Sequence, residues 1–241
     1  MLFQLRFRTD SLTLPMAYQT RVQGMLYHLM RSVPDYSAFL HERGYGAGGG
    51  SHFKLFCFGR LNGPHQRQNG RLIYPHWAEL AVRTADPTLG ALLEETLQPG
   101  LRCVLGSQTL VLEEVEQETL HLTAPELTIR MDSPISVHLP LTDGKTCPVN
   151  PLEEDFSRLV EENYRRKWSA IAGAPPAEPL TITARSVGMQ DKCVTRIKGI
   201  WVTAWGGTYR LRGTPQALEF LYHTGLGSRN SMGFGLFNIL L

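Results

Sequence analysis

The chain has 241 residues and a mass of 27.0 kDa, room for one large domain or two of ordinary size. Its 42% hydrophobic and 19% charged residues describe an ordinary soluble globular protein with a core. A net charge of +2 is too mild to argue for a nucleic-acid partner by itself, so such an argument has to rest on local clustering. Cys57, Cys103, Cys147 and Cys193 lie far apart with no C-x-x-C pair, which excludes a disulfide scaffold and gives no zinc spacing. The opening MLFQLRFRTD lacks the continuous apolar run of a signal peptide. No stretch approaches the ~20 apolar residues of a membrane span. A cytoplasmic protein with no membrane partner and no cofactor is expected.

Leu2 to Arg8 alternates polar with apolar, the mark of a half-buried strand. Pro15 precedes a helix whose stripe is Val22, Met25, Leu26, Leu29, Met30 and Val33. Pro34 resets it, and a shorter helical stretch runs to about Glu42. Gly44 to Ser51 reads as a flexible loop by composition. Strands are predicted over Phe53–Phe58 and His76–Arg83, then a helix from Pro87 to Leu97 closed by Pro99-Gly100. Strand-like runs at Cys103–Leu105, Leu110–Val115 and Thr119–Leu122 end the first half. The second half repeats the order. Leu127–Met131 and Ile135–Leu139 read as strands, Pro151–Ala172 as a helix, and Thr181–Val187, Cys193–Ile197 and Ile200–Leu211 as strands. Pro215–His223 is a helix and Phe234–Leu240 a last strand. The expected fold is therefore α+β: tandem ferredoxin-like (RRM-like) βαββαβ domains over residues 1–125 and 126–241, with a C-terminal glycine-rich loop.

That loop runs Gly225-Leu226-Gly227-Ser228-Arg229-Asn230-Ser231-Met232-Gly233-Phe234-Gly235. Small residues leave backbone N–H groups open, which suits a phosphate cradle; a long turn before the terminal strand explains the composition equally well. It lacks the lysine of a Walker A loop and the G-x-G-x-x-G of a dinucleotide site.

On the first helix, Gln23, Tyr27 and Arg31 stand at i, i+4 and i+8 on a polar flank. His41 closes the second helical stretch, and Lys54 enters the strand beyond the glycine loop. Singly, each has a bland reading: a surface tyrosine, a helix-terminal histidine, a solubilising lysine. Together they make an acid–base set suited to RNA cleavage by 2′-OH attack. Histidine titrates near neutrality and is the best proton carrier of the three. His28, His52, His65 and His223 stay open on sequence alone. The paired carboxylates Glu94-Glu95, Glu113-Glu114 and Glu153-Glu154-Asp155 have no histidines at ligand spacing, so no metal site is expected. Local positive charge gathers at Tyr164-Arg165-Arg166-Lys167-Trp168 and continues through Arg185, Lys192, Arg196, Lys198, Arg210 and Arg212.

These residues resemble a known family, the CRISPR-associated repeat-processing endoribonucleases (the Cas six family of the RAMP superfamily). The likeness runs through VQGMLYHLM, Phe39-Leu40-His41-Glu42, Lys54-Leu55-Phe56, Ser133-Pro134-Ile135, PLEEDFSRLVEENYRRKW and the closing GLGSRNSMGFG. The resemblance implies metal-independent cleavage of CRISPR repeat RNA (pre-crRNA), leaving a 2′,3′-cyclic phosphate and a 5′-hydroxyl. It implies His41 as general base, Tyr27 as acid on the leaving oxygen and Lys54 as phosphate stabiliser, with the first two roles exchangeable. His28 and His52 are lesser candidates. Gly225, Gly227, Ser228, Arg229, Asn230, Gly233 and Gly235, with Arg165, Arg166, Lys167, Arg196 and Lys198, would bind RNA. A product handed to a CRISPR effector complex and a homodimer both fit this picture. The runner-up is a non-catalytic RNA-binding RAMP subunit, against which the trio argues. A ferredoxin-like enzyme for a small phosphorylated substrate comes third.

Overall fold

The computed structural model describes residues 1–46, 52–142 and 145–240, so positions 47–51 of the expected flexible loop lie outside the described residues. The first half opens with β1 (Leu2–Arg8) and a short β2 (Leu12–Pro15), which the alternation reading missed. Helix α1 (Gln19–Leu29) buries Val22, Met25, Leu26 and Leu29 of the predicted stripe, whereas Val33 falls beyond the helix and is exposed. A 3-10 turn and α2 (Pro34–Ala38) follow, and the chain then widens into one π-helical turn over Phe39–Arg43. The strand expected over Phe53–Phe58 is broken. β3 (Tyr45–Gly46) pairs with β4 (His52–Phe53), and Leu55, with φ of 55°, separates that pair from β5 (Phe56–Phe58).

β6 (Gln66–Gln68) and β7 (Arg71–Tyr74) form a hairpin about Asn69-Gly70. β8 (Trp77–Thr84) leads to α3 (Pro87–Thr96), whose first turn is capped by the Asp86 carboxylate accepting from the N–H groups of Thr88 and Leu89. β9 (Arg102–Leu105) and β10 (Gln108–Glu118) complete the half. β10 stays paired with β1 as far as Leu2↔Glu118, so it outruns the predicted strand, and Thr119–Leu122 forms none. The sheet order is β5-β8-β1-β10-β9, with every pairing antiparallel. Without the edge strand β9, this is the strand order of a βαββαβ unit.

The second half repeats it. β11 (Glu126–Met131) leads through a hairpin of β12 (His138–Pro140) and β13 (Thr146–Pro148) to α4 (Asp155–Ala172) and β14 (Thr181–Ser186). A second hairpin, β15 (Lys192–Ile197) and β16 (Ile200–Trp205), precedes β17 (Thr208–Arg212), α5 (Pro215–Thr224) and β18 (Phe237–Ile239). The sheet order is β14-β17-β11-β18. Three strand predictions are corrected. Ile135 and Ser136 make single bridges, to Trp205 and Ser228, and β12 begins only at His138. Ile200–Leu211 is split at Gly206-Gly207 into strands of two different sheets. The last strand shortens to β18, because Phe234 to Leu236 belong to the glycine-rich crossing.

Phe3, Leu5 and Phe7 face α1 and α3 in one core, while Phe156, Val160, Tyr209 and Leu218 centre another. Because side chains alternate along a strand, Leu2, Cys57 and Ala81 lie on the opposite face of the first sheet, and there they pack on Leu236. Arg83 latches this junction. It is buried, donates to the Phe237 carbonyl at 2.5 Å and Asn238 Oδ1 at 2.9 Å, and lies 3.6 Å from the Tyr222 ring centroid. Arg83→Met should lower the free energy of unfolding by about 1–3 kcal/mol in urea titration, since it strands the Phe237 carbonyl. A loss under about 0.5 kcal/mol would show that the guanidinium is no latch.

Candidate active site and its clefts

Tyr27 sits on the border of the α1 stripe, half-buried, with its ring edge-on to Phe56 at 6.2 Å and to His41 at 5.4 Å. Burial pushes its hydroxyl up to about 12, so it is a protonated donor at neutral pH. His41 is exposed on the π-helical turn, and that turn swings its ring back against Tyr27. Lys54 follows β4, and its ammonium donates to the His41 carbonyl at 3.2 Å. Partial burial pulls the Lys54 pKa down. Three residues remote in sequence are thus gathered in the first half.

They do not share one cavity. Tyr27 and His41 line a cleft of about 690 Å³ with His28, Arg31 and Lys198. Lys54 instead lines a second cleft of about 780 Å³ with His52, His138, Arg166, Ser228 and Arg229. In the second cleft Ser228 Oγ donates to the Ser136 carbonyl at 2.9 Å, and Arg229 Nη1 lies 3.3 Å from His138 Nδ1. Arginine only donates, so Nδ1 accepts and the neutral ring carries its proton on Nε2. Burial first, then Arg229 and Arg166, hold the His138 pKa below the usual histidine value. Sequence reading missed His138, which closes an apolar run that looked like an ordinary strand.

The glycine-rich segment departs from the phosphate-cradle reading. Gly225, Gly227, Gly233 and Gly235 are buried. The N–H groups of Gly225, Leu226, Ser228, Gly233 and Gly235 donate to Leu221, Gly235, Ser136, Asn230 and Pro134 carbonyls. The glycines are a packing requirement rather than open donors. Gly227, with φ of 65°, lies so near Ser136 that a Cβ would come 2.6 Å from its carbonyl oxygen. Of the segment's predicted RNA contacts, Gly227, Ser228 and Arg229 line the second cleft. Asn230 also borders it, but its amide donates inward to the Leu226 and Phe234 carbonyls.

Lys167 is likewise corrected. It is 2% exposed, and its ammonium donates to the Gly225 carbonyl at 2.7 Å and to Asn230 Oδ1 at 2.6 Å. It therefore holds the glycine segment from within. Gln23, read as solvent-facing, is buried, and its amide donates to the Ser231 carbonyl at 2.8 Å. Arg165 lines the second cleft while paired with Glu161 at 3.0 Å. Arg196 is exposed on β15, its guanidinium 6.0 Å from the Trp201 ring centroid, and Lys198 is exposed at the tip of that hairpin. His223 is buried and pushed down to about 4, neutral and away from both clefts. Arg210 and Arg212 both pair with Glu126.

Two βαββαβ units meet at a structured glycine-rich crossing, with basic clefts beside it. The sequence profile of the C-terminal part of CRISPR associated protein Cas6 matches residues 114–239, and the chain belongs to the Cas6 family. It is 25% identical over 228 residues to the CRISPR-associated endoribonuclease Cas6 of Pyrococcus furiosus, covering 93% of this chain and 83% of that relative. The product of a Cas6-related gene from Pyrococcus furiosus superposes with a TM-score of 0.83 at 15% identity, covering 100% of this chain and 98% of the other. A RAMP protein binding different RNA substrates superposes at 0.80 with 16% identity, both chains covered in full. At these identities the two structures speak for the fold.

Lys167 makes a testable link between pH and stability. Burial pulls its pKa down to about 7, well under the ordinary lysine value. Below about 7 the amine is charged in both folded and unfolded chains. Between there and the ordinary value only the unfolded chain keeps the proton, so stability rises with pH. The unfolding midpoint of the wild type relative to Lys167→Met should climb from pH 7 to 9, read by thermal melts. A constant difference across that range would refute a buried ammonium.

Proposed function

We propose that this Cas6-family chain is an endoribonuclease that cuts CRISPR repeat RNA without a metal ion. The observation that carries the reading is the Tyr27–His41 ring contact at 5.4 Å in a cleft open to solvent. His41 takes the proton of the 2′-hydroxyl, and the 2′ oxygen attacks the adjacent phosphorus. The P–O5′ bond breaks, and Tyr27 delivers a proton to the departing oxygen. The products are a 2′,3′-cyclic phosphate and a 5′-hydroxyl, and no water or cofactor enters the step. The buried, protonated state of Tyr27 supports the acid role for it and the base role for His41. Lys54, tethered to the His41 carbonyl and lining the second cleft, supplies positive charge for the phosphate.

In this reading the chain divides near Pro125. Residues 1–125 carry Tyr27, His41 and Lys54, and residues 126–241 hold RNA through Ser228, Arg229, Arg165, Arg166 and Arg196. Lys167 and the four glycines set the geometry of that surface. The product remains on it for transfer to an effector complex.

With cognate repeat RNA in EDTA, cleavage of the all-ribose strand but not of one carrying a single 2′-deoxy at the scissile nucleotide is expected on a denaturing gel. Dependence on magnesium would overturn the mechanism. His41→Ala should slow single-turnover cleavage by ~100-fold or more while leaving the Kd for the 2′-deoxy strand nearly intact. Equal losses of rate and binding would make His41 a structural residue.

A further inference from the structure

We infer that Lys198 is a further catalytic residue, a cation that the second half of the chain delivers to the phosphate lying between Tyr27 and His41. The inference rests on the endoribonuclease reading above and adds to Lys54 a second cation, one that lines the Tyr27–His41 cleft itself.

The first observation is placement. Every other described residue lining the Tyr27–His41 cleft lies between Thr20 and Glu42, and Lys198 is the one contribution from beyond residue 125. Lys54, the cation expected there from sequence, lies on the His41 carbonyl and lines the other cleft. Arg31, one helical turn beyond Tyr27, is the cleft's only other lysine or arginine among the described residues.

The second observation is backbone conformation. Ile197 pairs with Ile200, so Lys198 and Gly199 form a two-residue turn, with φ of 48° and 84°. Positive φ at both positions is the signature of a type I′ turn, which selects asparagine or glycine at the first position. The chain uses that solution elsewhere, at Asn69-Gly70. A lysine at the same place carries a steric cost for its Cβ, and strain of this kind gathers where a side chain has a task.

The third is rigidity. The hairpin pairs in register from Lys192↔Trp205 to Ile197↔Ile200. Its inner residues Ile197, Val202 and Ala204 are buried against Phe234 of the glycine-rich crossing. Arg196 Nε donates to the Gly199 carbonyl at 3.2 Å and braces the tip. The backbone that carries the Lys198 side chain is thus set before RNA arrives. No ion-pair partner is recorded for Lys198 among the described residues, so its charge is available to a phosphate.

Chemically, attack by the 2′ oxygen builds negative charge on the non-bridging phosphate oxygens before the P–O5′ bond breaks. A fixed ammonium facing those oxygens lowers the barrier without moving a proton. The test uses the full chain with Lys198→Gly, which suits the turn, and Lys198→Arg, which keeps the charge. Single-turnover rates at saturating protein are compared with Kd for the repeat RNA carrying 2′-deoxy at the scissile nucleotide. Lys198→Gly should lose ~100-fold in rate with no fall in melting temperature. Its Kd should change by less than about 3-fold, as for one phosphate contact. Lys198→Arg should stay within about 10-fold of the wild-type rate. A wild-type rate in Lys198→Gly, or a loss confined to Kd, would overturn the assignment while leaving the endoribonuclease reading intact. A wild-type chain that cuts no ribose repeat RNA would instead sink that reading, and this inference with it.

Discussion

Lys167 donates from the interior face of α4 to the Gly225 carbonyl and the Asn230 carboxamide, and the placement of the clefts depends on the segment it holds. Asn230 in turn reaches across the segment to the Leu226 and Phe234 carbonyls, closing the crossing on itself. A buried ammonium facing neutral oxygens costs free energy, and burial accordingly draws its pKa to about 7. The return is a loop with one conformation: Arg229 at φ of 60° facing one cleft, and Phe234 seating the hairpin that faces the other.

The two clefts divide the electrostatic work. In the first, Tyr27 stays neutral through burial and His41 stands at the surface, the contrast of environments on which the proposed acid and base roles rest. In the second, Arg229, Arg166 and Lys54 bring positive charge, and burial beside those arginines discourages His138 from adding more. Lys54 bridges them by its hydrogen bond to the His41 backbone, so the ring's position and the second cleft's charge are mechanically tied.

Much of the fold was legible because it obeys simple periods. The α1 stripe, the alternation of β1 and the repeat of strand and helix order in both halves gave the paired βαββαβ units. Asn69-Gly70 between short runs is a hairpin mark that the sequence carries openly. The β16–β17 break at Gly206-Gly207 was signalled by two adjacent glycines. Other errors had no local signal. Gln23 and Lys167 are polar residues at helical positions adjoining solvent-facing neighbours, and only the arrival of a loop from about 60 residues away or more makes them interior.

Residue types at their spacings were enough to nominate Tyr27, His41 and Lys54, because proton transfer and charge stabilisation need chemical groups that few side chains provide. They also marked the glycine segment as special, although not why. Tertiary structure decided the reason: the Ser136 backbone presses on Gly227 and the ring of Phe58 on Gly233, while Asn230 and the Leu226 carbonyl crowd Gly225 and Gly235 from within the crossing. It also decided which cations face which cleft, since Lys54, Lys198 and Arg229 come from separate elements whose approach is set by packing across the first sheet. Sequence proximity carries chemistry; the distance between charges that must meet is a property of the folded cores that bring them together.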